Sequence, residues 1–471
     1  MDLTKSSLKI LLARFGGSVV GFLGTVYFSR ELGTALFGTF TLFQALSQML
    51  AVPADFGLQG AVIKRMSEEE NEASILSTTI LMLGVSLMIV SIVVFIFRTQ
   101  INSYLGAQLA FFLITVVILN ELSKLSRNVL KGELRVGETA PLGFARQITF
   151  NGLGAILLFS GADVLGLVYA LIAGSTVVLL LGVFKWDTSL GEPSFDVACS
   201  LFDYSKFSVV SYVDSYLYNW LDVAVIGLLL TQSEVGTYEV AWRVSAVVML
   251  FSKAIETTLL PQISNWDSDG SRIQIENVIP NAITASLFFI VPAFFGVLVL
   301  SQELLYYVFS PAYADAWPVL IILLGGKLFE GVDGIFKNVL SGMDRPDLAA
   351  TAVLVSISLN VILNFTLVWF IGSIGAAIAT TVSFCVSTAI IMYYLSNLIT
   401  VQFPYREILS CLISSAVMAV ALSIVQGFVG ITSLPLVILF ILLGGIIYIS
   451  TIFLFPTIRQ EIRTVLRAII R

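Results

Sequence analysis

Apolar runs of about twenty residues recur along the chain from Leu8 to Pro456, and no polar break between them exceeds about 22 residues. A helix needs roughly 20 mostly apolar residues to cross a bilayer core. The pattern therefore predicts fourteen membrane-spanning helices, at residues 8 to 29, 36 to 62, 74 to 97, 106 to 123, 140 to 160, 163 to 184, 207 to 230, 235 to 261, 280 to 302, 317 to 338, 348 to 371, 374 to 396, 407 to 426 and 434 to 455. The fold class is all-α and polytopic, with no room for a separate soluble domain.

Three segments recur in the same order. Phe37-Gly38-Thr39-Phe40 matches Val235-Gly236-Thr237-Tyr238 at an offset of 198. Leu130-Lys131-Gly132-Glu133-Leu134-Arg135 matches Leu340-Ser341-Gly342-Met343-Asp344-Arg345 at 210, and Leu165-Gly166-Leu167-Val168-Tyr169-Ala170 matches Ile374-Gly375-Ala376-Ala377-Ile378-Ala379 at 209. Six spans separate the copies, so they share one orientation, as in parallel-repeat transporters whose substrate site lies between the lobes. The expected domains are an N-terminal lobe (1–184, spans 1 to 6), a cytoplasmic linker (185–206) and a C-terminal lobe (207–398, spans 7 to 12). Spans 13 and 14 and a basic tail (399–471) complete the chain.

Charge orients the bundle, because cytoplasmic loops are enriched in Lys and Arg. With the N-terminus inside, the inner segments hold 19 of these residues and the outer breaks only Arg30 and Arg98. The expectation is a multi-pass cell-membrane protein with both termini cytoplasmic. Lys5 and Lys9 precede the first apolar run, but Arg14 interrupts it and no small-residue cleavage site follows, so it reads as a retained helix. Net charge is −6 and only 12% of residues are charged, at a mean hydropathy of +0.96. The surplus acid lies in polar breaks such as Glu68-Glu69-Glu70 and Asp267-Ser268-Asp269, as a salt-loving host would explain. Histidine is absent and Cys199, Cys385 and Cys411 have unrelated spacings. No disulfide framework, metal site or histidine relay is expected, and no cofactor.

Charges inside the spans carry the functional signal. Each costs roughly 2.5 to 3.5 kcal/mol at the bilayer centre, so four on span 8 (Glu239, Arg243, Lys253, Glu256) cannot face lipid. Spacings of three and four place residues on one helical face. Span 1 then presents Arg14, Ser18, Gly21 and Thr25; span 2 presents Thr41, Gln44, Gln48, Ala51 and Asp55. Span 7 presents Ser208, Ser211, Ser215, Tyr218 and Asp222; span 8 presents Glu239, Arg243, Ala246, Leu250 and Lys253. These are the first two helices of each lobe, and the simplest arrangement turns all four stripes toward a shared cavity. Glu239 with Arg243, and Lys253 with Glu256, also have the spacing of intrahelical ion pairs. Arg14 either lines the cavity or snorkels to the inner interface, and Arg146 is either paired across helices or free for an anion. Lys327, Glu330, Asp333 and Lys337 read as a packed network, and Asn360 with Asn364 as interhelical hydrogen-bonding groups. Arg459, Arg463, Arg467 and Arg471 form a basic face that anchors the tail at anionic headgroups.

An ordered set of short motifs carries a family resemblance over residues 8 to 398. It comprises Arg30-Glu31-Leu32-Gly33 before Phe37-Gly38, Asp55-Phe56-Gly57-Leu58, and Asp222 leading to Val235-Gly236-Thr237-Tyr238 and Ala241-Trp242-Arg243. Leu260-Pro261-Gln262-Ile263-Ser264, Ser310-Pro311-Ala312-Tyr313, Asn360 with Leu363-Asn364, and Gly372-Ser373-Ile374-Gly375-Ala376-Ala377 follow. In these the chain resembles the Wzx-type flippases of polysaccharides and lipid-linked oligosaccharides, in the superfamily that includes MATE exporters and lipid II flippases. The resemblance implies two six-helix lobes around a cavity whose cations receive a lipid phosphate. It implies flipping of an isoprenoid-phosphate-linked sugar to the outer leaflet by alternating access, for surface glycan or glycoprotein assembly. Arg243 lies in a matching motif; Arg14, Arg146 and Lys253 come from the stripes and from position. The substrate-binding set is Arg14, Arg146, Arg243, Lys253, Asp55, Asp222, Gln48, Ser215 and Tyr218, with the polar groups of spans 2 and 7 accommodating sugar hydroxyls. Expected partners are the lipid-linked sugar, membrane lipids and glycosyltransferases of the same pathway, and no nucleic acid. An inside-negative potential favours outward movement of an anion by about 2.3 kcal/mol per charge per 100 mV, and there is no Gly-rich nucleotide loop. Ion coupling through Asp55 or Asp222 stays open. The rivals are a MATE-like exporter, which needs unpaired carboxylates for cationic drugs, and a membrane enzyme acting on a lipid-linked glycan, which needs a larger outer loop than any present.

Overall fold

A computed structural model describes residues 3–68 and 71–456, with side chains described outside 3–15 and 207–218. The basic face of Arg459, Arg463, Arg467 and Arg471 lies outside the described residues. The described chain is all-helical, in the order α1 (Leu3–Asp55), α2 (Leu58–Glu68), α3 (Glu72–Ile96), α4 (Arg98–Leu105), α5 (Ala110–Gly132), α6 (Thr139–Phe159), α7 (Val164–Val183), α8 (Phe195–Leu229), α9 (Gln232–Val247), α10 (Met249–Ser268), α11 (Arg272–Leu304), α12 (Trp317–Gly342), α13 (Pro346–Ile371), α14 (Ser373–Ser396), α15 (Tyr405–Val429) and α16 (Leu434–Ile452). No strand occurs among the described residues.

Every predicted span finds a helix, although the breaks fall elsewhere than the hydropathy suggests. Among the described residues, nine helices are long and apolar enough to cross a bilayer, and eleven if two bent pairs each count as one span: α4 with α5, at 94°, and α9 with α10, at 52°. This count differs from the fourteen expected spans at α1, α8 and α12. α1 is two spans joined at Gly33, whose φ of 69° and ψ of 179° only glycine adopts at low cost. α12 carries four charged residues, and the described part of α8 after residue 218, Asn219–Leu229, is apolar. Span 2 ends earlier than expected: Phe56 and Gly57 both take positive φ, and α2 starts afresh at Leu58.

Two compact units divide the chain, residues 1–239 and 240–471. In the first, α6 packs on α7 and α1, α5 on α7 and α2, and α8 on α1, α2 and α3. Residues 185–194 lie against the start of α3, where Gly191 N–H donates to Ala73 O and to Ser77 Oγ, and Ser194 N–H to Thr78 Oγ1. Arg135 clasps Glu133, Glu138 and Asp187 at 3.0, 2.8 and 2.7 Å. Its hydrogen bond to Glu138, followed by the nearby carboxylate charges, holds the guanidinium above its ordinary pKa.

In the second unit, Leu259, Ile263, Ile283, Phe336, Phe440 and Tyr448 share one core, and the Tyr448 hydroxyl donates to Phe288 O at 2.9 Å. α15 and α16 are held here by α11. The outward faces are apolar: Met88, Ile89 and Ile96 on α3, Ile424 and Phe428 on α15, and Leu442 and Ile446 on α16 are all exposed. Such continuous apolar surface is at home in hydrocarbon, not water.

Candidate functional site

In the first unit, polar side chains collect where α2, α5, α6 and α7 meet. Asp55 ends α1, and its carboxylate accepts from Gln59 N–H at 2.9 Å, capping the first turn of α2. The Gln59 amide reaches Glu121 on α5, and its carbonyl accepts from Asn128 at 2.8 Å. Glu121 is fully buried and pairs with Lys124 at 2.6 Å; Lys131 donates to Asn128 at 2.9 Å. One turn deeper, Asn120 accepts from Arg146 of α6 at 3.0 Å and from Ser175 of α7 at 2.7 Å. Arg146 has thus found an amide, not a carboxylate. Arg127 stands within electrostatic reach of Arg146 and of Glu121, and its buried Nε has no hydrogen-bond partner.

In the second unit, α10 and α12 share a charged seam. Lys253 pairs with Glu256 at 3.0 Å; over half of the lysine side chain is exposed, against 10% of the glutamate. Glu256 also accepts from Ser252, which touches Ser286 of α11 at 2.8 Å. Lys327 is buried, pairs with Glu330 at 2.6 Å, and lies 5.4 Å from the Trp242 ring and 6.0 Å from Phe384. Lys337 pairs with Asp333 at 2.7 Å, and Ser387 of α14 donates to the same carboxylate at 2.6 Å. The four charges of α12 therefore satisfy one another. Asn360 donates to Thr380 of α14 and accepts from Asn364, the interhelical bonding expected of the two asparagines.

The predicted binding residues fall in several places. Gln48 and Asp55 are half-buried on the second arm of α1. Asp222 of α8 is buried and accepts from the hydroxyl of Tyr238, itself fully buried. Arg146 belongs to the α5–α6–α7 cluster. Arg243 is half-buried on α9, and Lys253 follows the break at Val248 that separates α9 from α10. The side chains of Arg14, Ser215 and Tyr218 lie outside the described residues.

Arg127 escaped the sequence reading because hydropathy ends span 4 at residue 123, whereas α5 continues to Gly132. The polar series Asn120, Lys124, Arg127, Lys131 keeps helical spacing through that boundary, and this was the available signal. Both units hold cations inside helices, and the acids near them are mostly engaged. No group of three or more Cys, Asp or Glu able to hold a metal ion occurs among the described residues.

Comparison with known proteins bears on what such a bundle carries. The family model described as "Polysaccharide biosynthesis protein" matches residues 28–318. The chain is 46% identical over 462 residues to the "Probable low-salt glycan biosynthesis flippase Agl15" of Haloferax volcanii, covering 98% of each. It is 28% identical over 450 residues to the "Probable flippase AglR" of the same organism, covering 92% of this chain and 93% of that one. Among solved structures it is similar to lipid II flippase MurJ in an inward closed conformation, with a TM-score of 0.78 at 18% identity over 94% of this chain and 97% of that one. It also resembles a MATE family multidrug transporter in an inward-facing conformation, at TM-score 0.63 and 14% identity over 82% and 97%.

Proposed function

This chain belongs to the polysaccharide biosynthesis protein family, and from that premise we propose that it flips a lipid-linked glycan across the membrane. It is a Wzx-type flippase on the fold shared by lipid II flippases and MATE exporters. The observation that carries the reading is the end-to-end match to a glycan biosynthesis flippase, 46% identical over 98% of both chains. The coarser conclusions are that the protein is multi-pass, that it works as a transporter, and that its cargo is a lipid-linked sugar.

In the finer reading, the carrier is an isoprenoid phosphate, and the glycan moves from the cytoplasmic to the outer leaflet by alternating access, with both termini cytoplasmic. Glycosyltransferases of the same pathway supply the cargo. The lobes are the sequence repeats 1–184 and 207–398. Arg146, Arg243 and Lys253 receive the phosphate; Gln48, Asp55 and Asp222 receive sugar hydroxyls; Arg14, Ser215 and Tyr218 carry their assignments from the sequence alone. Lys253 supports this reading, because a lysine so exposed within a predicted span needs water or an anion beside it. The mixed charge of the interior disfavours a cationic drug.

The test reconstitutes the full chain in liposomes with a fluorescent polyprenyl-phosphate-linked sugar and follows its loss of protection from a membrane-impermeant quencher. Wild-type protein is expected to flip the lipid, and Arg243→Ala and Lys253→Ala to slow it at least tenfold. Liposomes that export a cationic dye but leave the lipid-linked sugar in place would assign the protein to the exporters instead.

A further inference from the structure

Arg127 and Arg146 are the two arginines of the α5–α6 hairpin that lie within helices. Both sit at similar depth: Arg127 five residues before the end of α5 at Gly132, and Arg146 seven residues after the start of α6 at Thr139. At 1.5 Å per residue they lie roughly 8 to 10 Å inside the hairpin turn. The turn is cytoplasmic on the orientation read from the Lys and Arg distribution, which places the pair just beneath the inner interface.

Two like charges at that depth repel unless something stands between them. The groups facing them do not neutralise the pair. Arg146 donates to the amide oxygen of Asn120, a neutral group shared with the Ser175 hydroxyl. Glu121 attracts Arg127, but its carboxylate is committed to Lys124 at 2.6 Å and to the Gln59 amide. Lys131 is turned to Asn128 at 2.9 Å. Asp55 lies near Glu121 and Lys124, and its carboxylate accepts from the backbone of α2. The Nε of Arg127 is fully buried and has no hydrogen-bond partner among the described residues. Arginine keeps its charge at any physiological pH, so the pair stays doubly cationic. A planar guanidinium matches a phosphate in two-point fashion, and two of them clamp one from both sides.

We propose that Arg127 and Arg146 form an entry site that takes the phosphate or diphosphate ester of a lipid from the cytoplasmic leaflet, ahead of the cations on α9 and α10. The identity of the lipid rests on the flippase reading; the anion site itself does not. Arg127 differs from Lys124 and Lys131 in its contacts: those two hold hydrogen-bonded partners, while the buried Nε of Arg127 has none and only the charge of Glu121, already engaged by Lys124, attracts it.

The experiment measures thermal stability of the detergent-solubilised full chain with polyprenyl phosphate, the uncharged polyprenol, inorganic phosphate or no addition. Because the buried Nε of Arg127 has no hydrogen-bond partner among the described residues, Arg127→Gln is expected to melt at or above the wild-type temperature without ligand. Polyprenyl phosphate is expected to raise the wild-type melting temperature by several degrees and polyprenol not to. Arg127→Gln and Arg146→Gln are each expected to weaken polyprenyl phosphate binding at least tenfold, and Arg127→Lys to restore most of it. Inorganic phosphate acting as well as the lipid assigns the pair to free phosphate; a much stronger lipid effect assigns it to the headgroup. Either outcome supports a phosphate site if both glutamine variants lose it. Glutamine variants that bind polyprenyl phosphate within twofold of wild type overturn the site. Flipping by wild-type liposomes is scored separately, so loss of the entry site and loss of the flippase reading are told apart.

Discussion

Gly38 and Gly236 approach backbone to backbone, and they do so reciprocally. A Cβ on Gly38 would lie 1.7 Å from the carbonyl oxygen of Gln232 and 2.9 Å from Gly236 N; a Cβ on Gly236 would lie 2.1 Å from the carbonyl oxygen of Thr34 and 3.1 Å from Gly38 N. The contact repeats at the sequence offset of 198, which relates Gly38 to Gly236 and Thr34 to Gln232. Close backbone approach through small residues four apart is how membrane helices pack without large side chains. The hydroxyls of Ser233 and Thr34 add a hydrogen bond of 2.7 Å beside it.

Gly236→Val is therefore expected to break this crossing, because backbone on the other side cannot yield as a side chain would; overpacking of this kind costs about 3 kcal/mol. The check is labelling of a Thr34→Cys reporter by a membrane-impermeant maleimide. Labelling should rise severalfold in the Gly236→Val background and flipping should fall. Unchanged labelling would show that the crossing does not shield this end.

Lys327 and Glu330 give a second expectation. Their pair is nearly buried, and removal of one member of such a pair leaves an uncompensated charge, at about 3 to 5 kcal/mol. Lys327→Met should lower the melting temperature sharply, while Lys327→Met with Glu330→Leu should recover much of the loss. Additive losses in the double-mutant cycle would show that the two charges are not coupled.

Much of this architecture was readable because lipid permits few solutions. Hydropathy located a helix for every predicted span, and the spacing of Lys327, Glu330, Asp333 and Lys337 announced the pairing that α12 shows. Helix ends were less legible. Span 2 stops at Phe56-Gly57, where backbone conformation and not polarity ends it, and α5 runs on past residue 123 because a helix continues through polar residues that find partners. The role of Asp55 as a cap on α2 was hidden for the same reason: its partner is a backbone N–H, which no side-chain pattern records. The outline of the Gly38 and Gly236 contact was visible as a repeat, but contact between the copies needed coordinates.

Arg135 ties the α5–α6 turn to the segment that follows α7. It reaches Glu133, Glu138, Asp187 and the carbonyl of Lys185, and Lys185 in turn pairs with Glu138 at 2.6 Å. Each pair is partly exposed and worth at most about 1 kcal/mol. Arg135→Ala is thus expected to leave global stability within about 2 kcal/mol of wild type but to loosen residues 185–194. Limited proteolysis would read this as faster cleavage in that stretch, and rising salt should make the wild type behave more like the variant.

Glu256 sets how available Lys253 is to cargo. Its carboxylate lies over Gly334, where a Cβ would come within 2.3 Å of Oε1, so nothing larger than glycine leaves it in place. From there it holds the Lys253 ammonium at 3.0 Å. An arriving phosphate must compete with that carboxylate for the lysine. Glu256→Gln keeps the shape and the contact with Ser252 while removing the competing charge, and over half of the Lys253 side chain is exposed, so the lysine is not left buried without a partner. Affinity for polyprenyl phosphate should then rise severalfold. Turnover should not follow, because a cargo held more tightly leaves more slowly: flipping is expected to fall as binding improves. Gly334→Ala should push the same carboxylate aside and shift binding in the same direction, with a loss of stability that Glu256→Gln does not share. Equal or weaker binding by both variants would show that Glu256 and the phosphate do not compete for Lys253.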